Sequence, residues 1–421
     1  MVSIDFIRKN PELVQKGADN KLIKCDVARL LEVDNQMRKD LAEIEKLNTQ
    51  RNAISKSKDI SNEEKANQVK AIKEELKVLE ERYNNAKIEF DALIAVVPSV
   101  PLDEVPIGKD ENDNVEIRKV GEIPNFNFEP KDHLTLMQNL NMVETTKAVK
   151  FAGSRGYALK NDAVKLEMAL MQYAIDKLAS KGYEPHSVPV MVKGEAMYGT
   201  GYFPVGQEQA YNITEDGLYL VGTSEVSLVS LHSNEILNAE ELPIKMAGIS
   251  TCFRREIGSA GRDVYGLYRV HQFQKVEQVV ICKADDEEMT RLHEEILKNS
   301  EEILQDLKIP YHVVLCCTGE LGIGQVKKYD VEAWMPSRNA YCETHSASEF
   351  RDFQARRSNI KYRDENGKLQ FCYTLNNTAL ASPRFMIPLL ELYQQEDGSI
   401  LIPEVLRPYM QGRKYIGKNE D

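Results

Sequence analysis

The residues with the most chemistry to offer lie between positions 251 and 278, in the run TCFRREIGSAGRDVYGLYRVHQFQKVEQ. Two strand-like stretches, 249–256 and 268–282, flank a glycine-punctuated insert, an order that predicts a hairpin. Side chains alternate between the faces of a strand. Arg254 and Glu256 therefore share one side of the first stretch, and Arg269, His271, Phe273, Lys275 and Glu277 share one side of the second. One face of the hairpin is charged and aromatic. An ordinary solvated sheet face shows the same alternation, but the insert, 257–267, far exceeds the roughly two to five residues of a plain hairpin loop. It carries Gly258, Gly261 and Gly266 beside Arg262 and Asp263. A long loop over a charged face points to a lid or a nucleic-acid contact.

Holding such a face in place takes a folded core, and 421 residues leave room for two domains or more. Charged residues make up 29% of the chain, above the roughly 25% of an average soluble domain, which points to an exposed helical element. No run approaches the roughly 18 apolar residues of a membrane span. The start, MVSIDFIRKNPELVQKG, has no continuous apolar centre, so no secretory signal is expected. The seven cysteines include no C-x-x-C pair; they suit free thiols in a reducing cytoplasm, and no zinc site is expected. The formal charge of -12 disfavours indiscriminate nucleic-acid binding, which draws on phosphate neutralisation. An RNA partner would require locally arranged basic residues.

Residues 1–25 read as a short cap in which Asn10-Pro11 opens a helix that Gly17 ends. Val27, Leu30, Leu31, Met37, Leu41, Ile44, Leu47 and Ile54 then recur at steps of three and four. The stripe breaks across SKSKDISNEEK and resumes as Val69, Ile72, Leu76, Leu79, Tyr83, Ala86, Phe90, Leu93 and Val97. Two long helices, each marginal alone, should fold back into an antiparallel coiled-coil hairpin over 27–97. Taken by itself, such a hairpin more often serves dimerisation or scaffolding. Pro98 and Pro101 stop the second helix, and 101–130, with Pro106, Pro124 and DENDN, reads as a linker to a second domain over 131–421. There a helix at 163–181 precedes short strand-like runs, 218–221, 311–317, 330–334 and 370–375, mixed with helices such as 287–307. Without regular βα alternation, this mixture predicts an α+β domain on an antiparallel sheet.

The FRRE and GRDVYGLYRVHQFQKVE segments resemble motif 2 of the class II aminoacyl-tRNA synthetases, in the wording of the seryl-tRNA synthetase family. KGYEPHSVPVMV resembles motif 1, and YCETHSASEFRDFQARR the segment before motif 3 in the serine enzymes. TLNNTALASPRFMIPLLELYQQEDGSILIPEVLRPYM resembles motif 3, and VGTSE at 221–225 also agrees. The likeness spans nearly the whole chain. It implies a class II catalytic domain behind an N-terminal tRNA-binding domain, 1–100. It also implies ATP and serine as substrates, Mg²⁺, a cytoplasmic homodimer formed through motif 1, and tRNA(Ser) as partner, with tRNA(Sec) where the source has one. The arm of this family holds the variable arm and elbow of the tRNA. Lys56, Lys58 and Lys65 at its tip, Arg51 and Lys70 nearby, and Arg262 in the motif 2 loop would then contact the tRNA.

In the implied adenylation, the serine carboxylate attacks the α-phosphate of ATP in line and pyrophosphate leaves. Positioning and charge stabilisation carry most of such a reaction. By resemblance Arg254 grips the α-phosphate and touches serine, Arg384 grips the γ-phosphate, and Arg269 supports the phosphates. Glu256 accepts from the adenine amino group, Phe273 stacks on the ring, and Glu343 with Ser346 holds Mg²⁺ through hard oxygens. Arg254, Arg384 and Glu343 are thus the expected catalytic set, with no general base. Glu277 meets the serine ammonium, Thr223 and Glu225 lie in the segment that lines the pocket, and Asn376 and Thr378 face the hydroxyl. Glycine and alanine would leave those polar groups unpaired, and threonine must be excluded by lack of room.

The chain also departs from the family pattern. EISSCSN stands here as Glu343-Thr344-His345-Ser346-Ala347-Ser348-Glu349, and Asn-Gly-Ser/Thr-Gly as Asn376-Asn377-Thr378-Ala379, with Ser382-Pro383 before Arg384. Lost glycines narrow backbone freedom, and Glu349 is expected to add charge near a phosphate site. Two rivals fit parts of the sequence. Ligases that load an amino acid onto a carrier protein lack the helical arm. A catalytically silent paralogue used as an RNA-binding module would be expected to have lost Arg254, Glu277, Glu343 or Arg384, and all four are present.

Overall fold

The computed structural model describes residues 1–58, 61–258 and 265–418. Internal contacts divide the chain into two units, Met1–Val100 and Pro101–Asp421.

The first unit opens with α1 (Ile4–Lys9) and α2 (Pro11–Asn20). Proline starts α2 as expected, its missing N–H being one the first turn leaves unpaired anyway. Gly17 does not end it. The helix runs to Asn20 with Val14, Gly17 and Ala18 buried, so packing outweighs the penalty of about 1 kcal/mol that glycine carries in a helix. Two long helices follow, α3 (Val27–Lys56) and α4 (Asn62–Ala95), packed against each other. Asp26 caps α3 by accepting from the Arg29 N–H, and Ser61 and Glu64 form a reciprocal capping box on α4. Leu47, Leu76 and Leu79 fill the middle of the seam, and Val27, Leu30, Ile94 and Val97 join Ile7 and Val14 at its base. Leu41, expected on the seam, is 43% exposed. Its neighbour Asp40 is buried instead, accepting from Arg82 Nε at 3.0 Å and from Gln36 at 2.8 Å. A polar pair at such a position sets helix register at some loss of stability.

The second unit is built on eight strands: β1 (Val115–Val120), β2 (Glu184–Ser187), β3 (Ile244–Phe253), β4 (Gln272–Cys282), β5 (Tyr311–Leu315), β6 (Lys327–Met335), β7 (Ala340–Arg351) and β8 (Tyr373–Ser382). Their order is β1-β5-β6-β7-β8-β4-β3-β2. Every junction is antiparallel except β2 with β3, which is parallel. This is the α+β, antiparallel-sheet architecture expected. Helices α5 (Asp162–Ala179) and α7 (Asp286–Asp306) pack on the sheet, with α6 (Glu225–Leu231), α8 (Phe353–Ser358) and α9 (Met386–Tyr393) around it. Leu166, Leu170, Ile296 and Leu304 from α5 and α7 meet Val276, Val280, Leu375 and Leu380 from β4 and β8 in the main core. Burying each such side chain fully is worth about 1.5–3 kcal/mol.

The segment 101–130, expected as a linker, is more than a spacer. Its VEIRKV run forms β1 and pairs with β5 from Val115↔Leu315 to Val120↔Tyr311. The prolines and the acidic run of the segment hide one short edge strand. The run expected at 370–375 is divided at Cys372. β8 starts at Tyr373 and continues to Ser382, through the stretch that resembles motif 3.

Candidate active site

β3 and β4 pair from Gln272↔Phe253 to Ile281↔Ile244, so the hairpin forms, but its strands stop short of the insert. Residues 254–256 and 268–271 lie outside any strand, and the period of two does not reach them. His271 reaches across to the end of β3, its Nδ1 lying 3.0 Å from the Arg254 carbonyl oxygen. Tyr268, Arg269 and Val270, three consecutive residues, all border a cleft of about 400 Å³. Glu256 sits in the left-handed region at φ 51 and receives the Arg269 guanidinium at 3.3 Å. Most of the expected lid, including Arg262, lies outside the described residues.

Three adjacent strands supply much of the cleft. β4 contributes Phe273, Lys275 and Glu277; β8 contributes Asn376 and Thr378; β7 contributes Glu343, Ser346 and Ser348. The pairing of β8 with β4 slips at Ala379, between Leu380↔Val276 and Thr378↔Glu277. This bulge shifts the alternation by one, so that Asn376, Thr378 and Ala381 all border the cleft. Arg254 follows β3, Arg384 follows β8, and both enter the same cleft as Glu277.

One group of side chains in it is acidic and deeply buried. Glu277 is 2% exposed; its Oε2 accepts from the Thr378 hydroxyl at 3.2 Å and pairs with the Lys275 ammonium. Glu225 accepts from Gln354 Nε2 at 2.6 Å. Burial, and then the charge of Glu277, push the Glu225 carboxyl up to about 7. Thr223 is buried without bordering the cleft. Its hydroxyl accepts from the Glu225 N–H at 3.2 Å, so it holds the start of α6 and with it Glu225.

A second group is rich in arginine. The Arg254 guanidinium lies 5.2 Å from the Phe273 ring centroid. Arg384 donates to Glu343 Oε2 at 3.2 Å and to the Tyr268 carbonyl at 3.1 Å. Burial alone would raise the Glu343 carboxyl, but Arg384, Lys328 and Arg254 outweigh it and hold it below the usual carboxylate range. The Glu343 carboxylate and Ser346 hydroxyl both border the cleft. These hard oxygens fit Mg²⁺, which keeps several waters and phosphate oxygens among its ligands. Among the described residues no group of three or more His, Cys, Asp or Glu could hold a metal ion.

The departures from the family pattern fall mainly on the other face of the sheet. Ser346 and Ser348 face the cleft, so the period of two turns Glu349 toward α7. There it is fully buried, with Oε1 2.9 Å from His293 Nδ1. It does not add charge to the cleft. Asn377 also faces α7, accepting from Gln278 Nε2 at 2.5 Å and from Ser300, while its own amide donates to the Ser346 carbonyl. His345 is buried beside Thr344, and burial pulls its pKa down to about 3.

In the first unit, Lys56 and Lys70 are exposed on α3 and α4 and Lys58 just beyond α3, whereas Arg51 and Lys65 are half-buried. The sequence singled out Lys275 without a role. Tyr202 and Gln325, which also border the cleft, belong to no pattern read there, and Tyr268, which opens the second strand-like stretch, carries no role there. Tyr268 receives Arg384 and Arg338 over its ring at 4.4 and 3.9 Å.

Residues 1–101 match the seryl-tRNA synthetase N-terminal domain, and residues 210–393 match the tRNA synthetase class II core domain (G, H, P, S and T). The chain belongs to the seryl-tRNA synthetase family. It is 44% identical to the serine--tRNA ligase of Deinococcus radiodurans, with 99% of each chain covered. The crystal structure of the seryl-tRNA synthetase from Pyrococcus horikoshii complexed with ATP matches it with a TM-score of 0.92 and 37% identity over 100% of both chains. The cytoplasmic serine-tRNA ligase from Naegleria fowleri in complex with AMP gives 0.85 and 33%, over 97% of this chain and 95% of that one. The α3–α4 hairpin lies in the part matched by the N-terminal domain of the family, and most of the residues lining the cleft lie in the part matched by its class II core domain. The likeness to seryl-tRNA synthetases over both parts favours neither a carrier-protein ligase nor a silent paralogue.

Proposed function

We propose that this chain is an ATP-dependent serine--tRNA ligase, making seryl-adenylate and passing the seryl group to the terminal ribose of tRNA(Ser), and of tRNA(Sec) where one exists. The observation that carries the reading is the meeting of Arg254, Arg384 and Glu277 in one cleft. Arginines suit the phosphates of ATP because a planar fork can bind them through parallel hydrogen bonds. A buried carboxylate suits the serine ammonium, since little water competes for either charge.

In this reading Arg254 holds the α-phosphate against the serine carboxylate, and Arg384 and Arg269 hold the phosphates that leave. Glu256 and Phe273 take the adenine. Glu277 and Glu225 orient the ammonium, and Asn376 and Thr378 meet the hydroxyl, with Thr223 acting through Glu225. Glu343 and Ser346 would hold Mg²⁺, which supplies charge neutralisation to the phosphates when bound. The serine carboxylate is already ionised, so these residues position and stabilise without removing a proton.

Residues 1–100 serve as the tRNA-binding domain and 131–421 as the catalytic domain. Exposed Lys56, Lys58 and Lys70, with Arg51, Lys65 and Arg262, contact the tRNA backbone. A cytoplasmic homodimer forms through the α5–β2 segment, a reading supported by Val164 and Met168 of α5, which are 40% and 67% exposed. No described helix is long and apolar enough to cross a membrane.

Amino-acid-dependent pyrophosphate exchange, run with all twenty amino acids, tests the reading. Exchange with serine is expected; exchange with none would refute the enzymatic reading, and exchange with another amino acid would overturn the pocket assignment.

A further inference from the structure

Resting on the reading of Glu277 as the partner of the serine ammonium, one charge in the cleft still lacks a task. Lys275 is only 4% exposed, borders the cleft, and pairs with the Glu277 carboxylate. A subsite that attracts an ammonium group thus contains one of its own. Stability alone gives little reason for it, because apolar replacements of a buried ion pair are often neutral or better.

The geometry around the pair supplies another reason. Glu225, Glu277 and Lys275 are all nine-tenths or more buried and border the same cleft. With both carboxyls ionised, two carboxylates and one ammonium sum to a single negative charge, which one substrate ammonium neutralises. The hydroxyl of Thr378 and the nearest approach of Lys275 are both to Oε2 of Glu277. Glu225 is held by side-chain amides, Gln354 and Asn376. Its Oε1 accepts from Gln354, whose own carbonyl oxygen is fixed by the Thr374 hydroxyl at 2.6 Å. We propose that Lys275 is a positioning residue for the amino-acid subsite. It anchors Glu277 through Oε2, leaves Oε1 for the incoming ammonium, and cancels one of two mutually repelling carboxylate charges.

The neighbouring carboxyl is consistent with this balance. After burial, Glu277 is the main influence raising Glu225, and Lys275 acts against it. Removing Lys275 would leave two buried carboxylates facing each other, and one would take up a proton in place of binding the substrate.

The test is a cycle of full-length variants, Lys275→Met, Lys275→Arg, Glu277→Gln and Lys275→Met/Glu277→Gln, assayed by serine-dependent pyrophosphate exchange. Lys275→Met is expected to raise the serine KM by about tenfold or more, as for a lost charge-assisted hydrogen bond, with the ATP KM changed by no more than about twofold. Lys275→Arg, which keeps the charge, should recover most of the loss. With Glu277→Gln already present, Lys275→Met should lower the serine KM, because it then removes an ammonium that only repels the substrate.

Equal losses in both backgrounds, an unchanged serine KM in Lys275→Met, or a parallel rise in the ATP KM would each overturn the proposal. If Lys275→Met does not fold, the double variant read against Glu277→Gln decides by the same sign. An unchanged serine KM in Glu277→Gln would defeat the serine-subsite reading itself. A loss there with none in Lys275→Met defeats the positioning role alone.

Discussion

Glu225 and Glu277 are two carboxylates buried in one cleft, and among the described residues only Glu277 has a cation paired directly with it. Glu225 is pushed up from 4.5 to about 7 by burial and then by its neighbour. Because its folded pKa exceeds its unfolded one, its contribution favours folding fully below about 4.5 and is lost as the pH rises through about 7. Serine reverses that preference by bringing an ammonium to the ionised form. The serine KM is therefore expected to fall as the pH rises from about 6 to about 8, and Glu225→Gln should flatten the profile. Initial-rate exchange at saturating ATP measures both, and a flat profile in the unsubstituted protein would refute the role of Glu225. Strand alternation alone put Arg254 and Glu277 on a face that can be counted, whereas Glu343 and Arg384 came only from the resemblance to the family. Counting failed at His271, where the strand had already ended, and it could give no partner for Lys275.

At the scale of elements, the α3–α4 hairpin was the most legible part of the chain. Its seam repeats at helical steps, and Ser61 with Glu64 is a local capping signal. Asp40 shows the limit of that periodicity, for a carboxylate enters the seam when Arg82 and Gln36 can hold it there. The cleft residues all belong to the second contact unit, Pro101–Asp421. Deleting residues 27–97 should therefore leave serine-dependent exchange nearly intact while abolishing the charging of tRNA(Ser). Charging at the full rate by the shortened protein would rule out the arm as the tRNA-binding element. β1 and the bulge at Ala379 lay beyond sequence reasoning for a shared reason. A short edge strand and a single slipped residue are defined by what they pair with.

For the whole molecule, the formal charge of -12 makes tRNA binding a matter of local arrangement, and exposed apolar side chains on the second unit call for a covering surface. Met168 is 67% exposed and Phe151 83%. If a second copy covers α5, Met168→Glu should weaken self-association, because it would bury a carboxylate without a partner. Sedimentation velocity across a dilution series would show it as a shift toward monomer. A protein that sediments as a monomer before substitution would contradict the dimer.

The sequence by itself determined what depends on neighbours along the chain: the two arm helices, the α+β class, and the identity and order of the side chains that resemble a serine-activating site. Only the tertiary structure decided which of them share a cleft, because that depends on strand register. Glu349 stands three residues from Ser346 and faces the opposite side of the sheet, whereas Arg254 and Arg384, 130 positions apart by number, enter one cavity. Sheet pairing brings distant residues together and separates near ones, and no local pattern records which partner a strand will find.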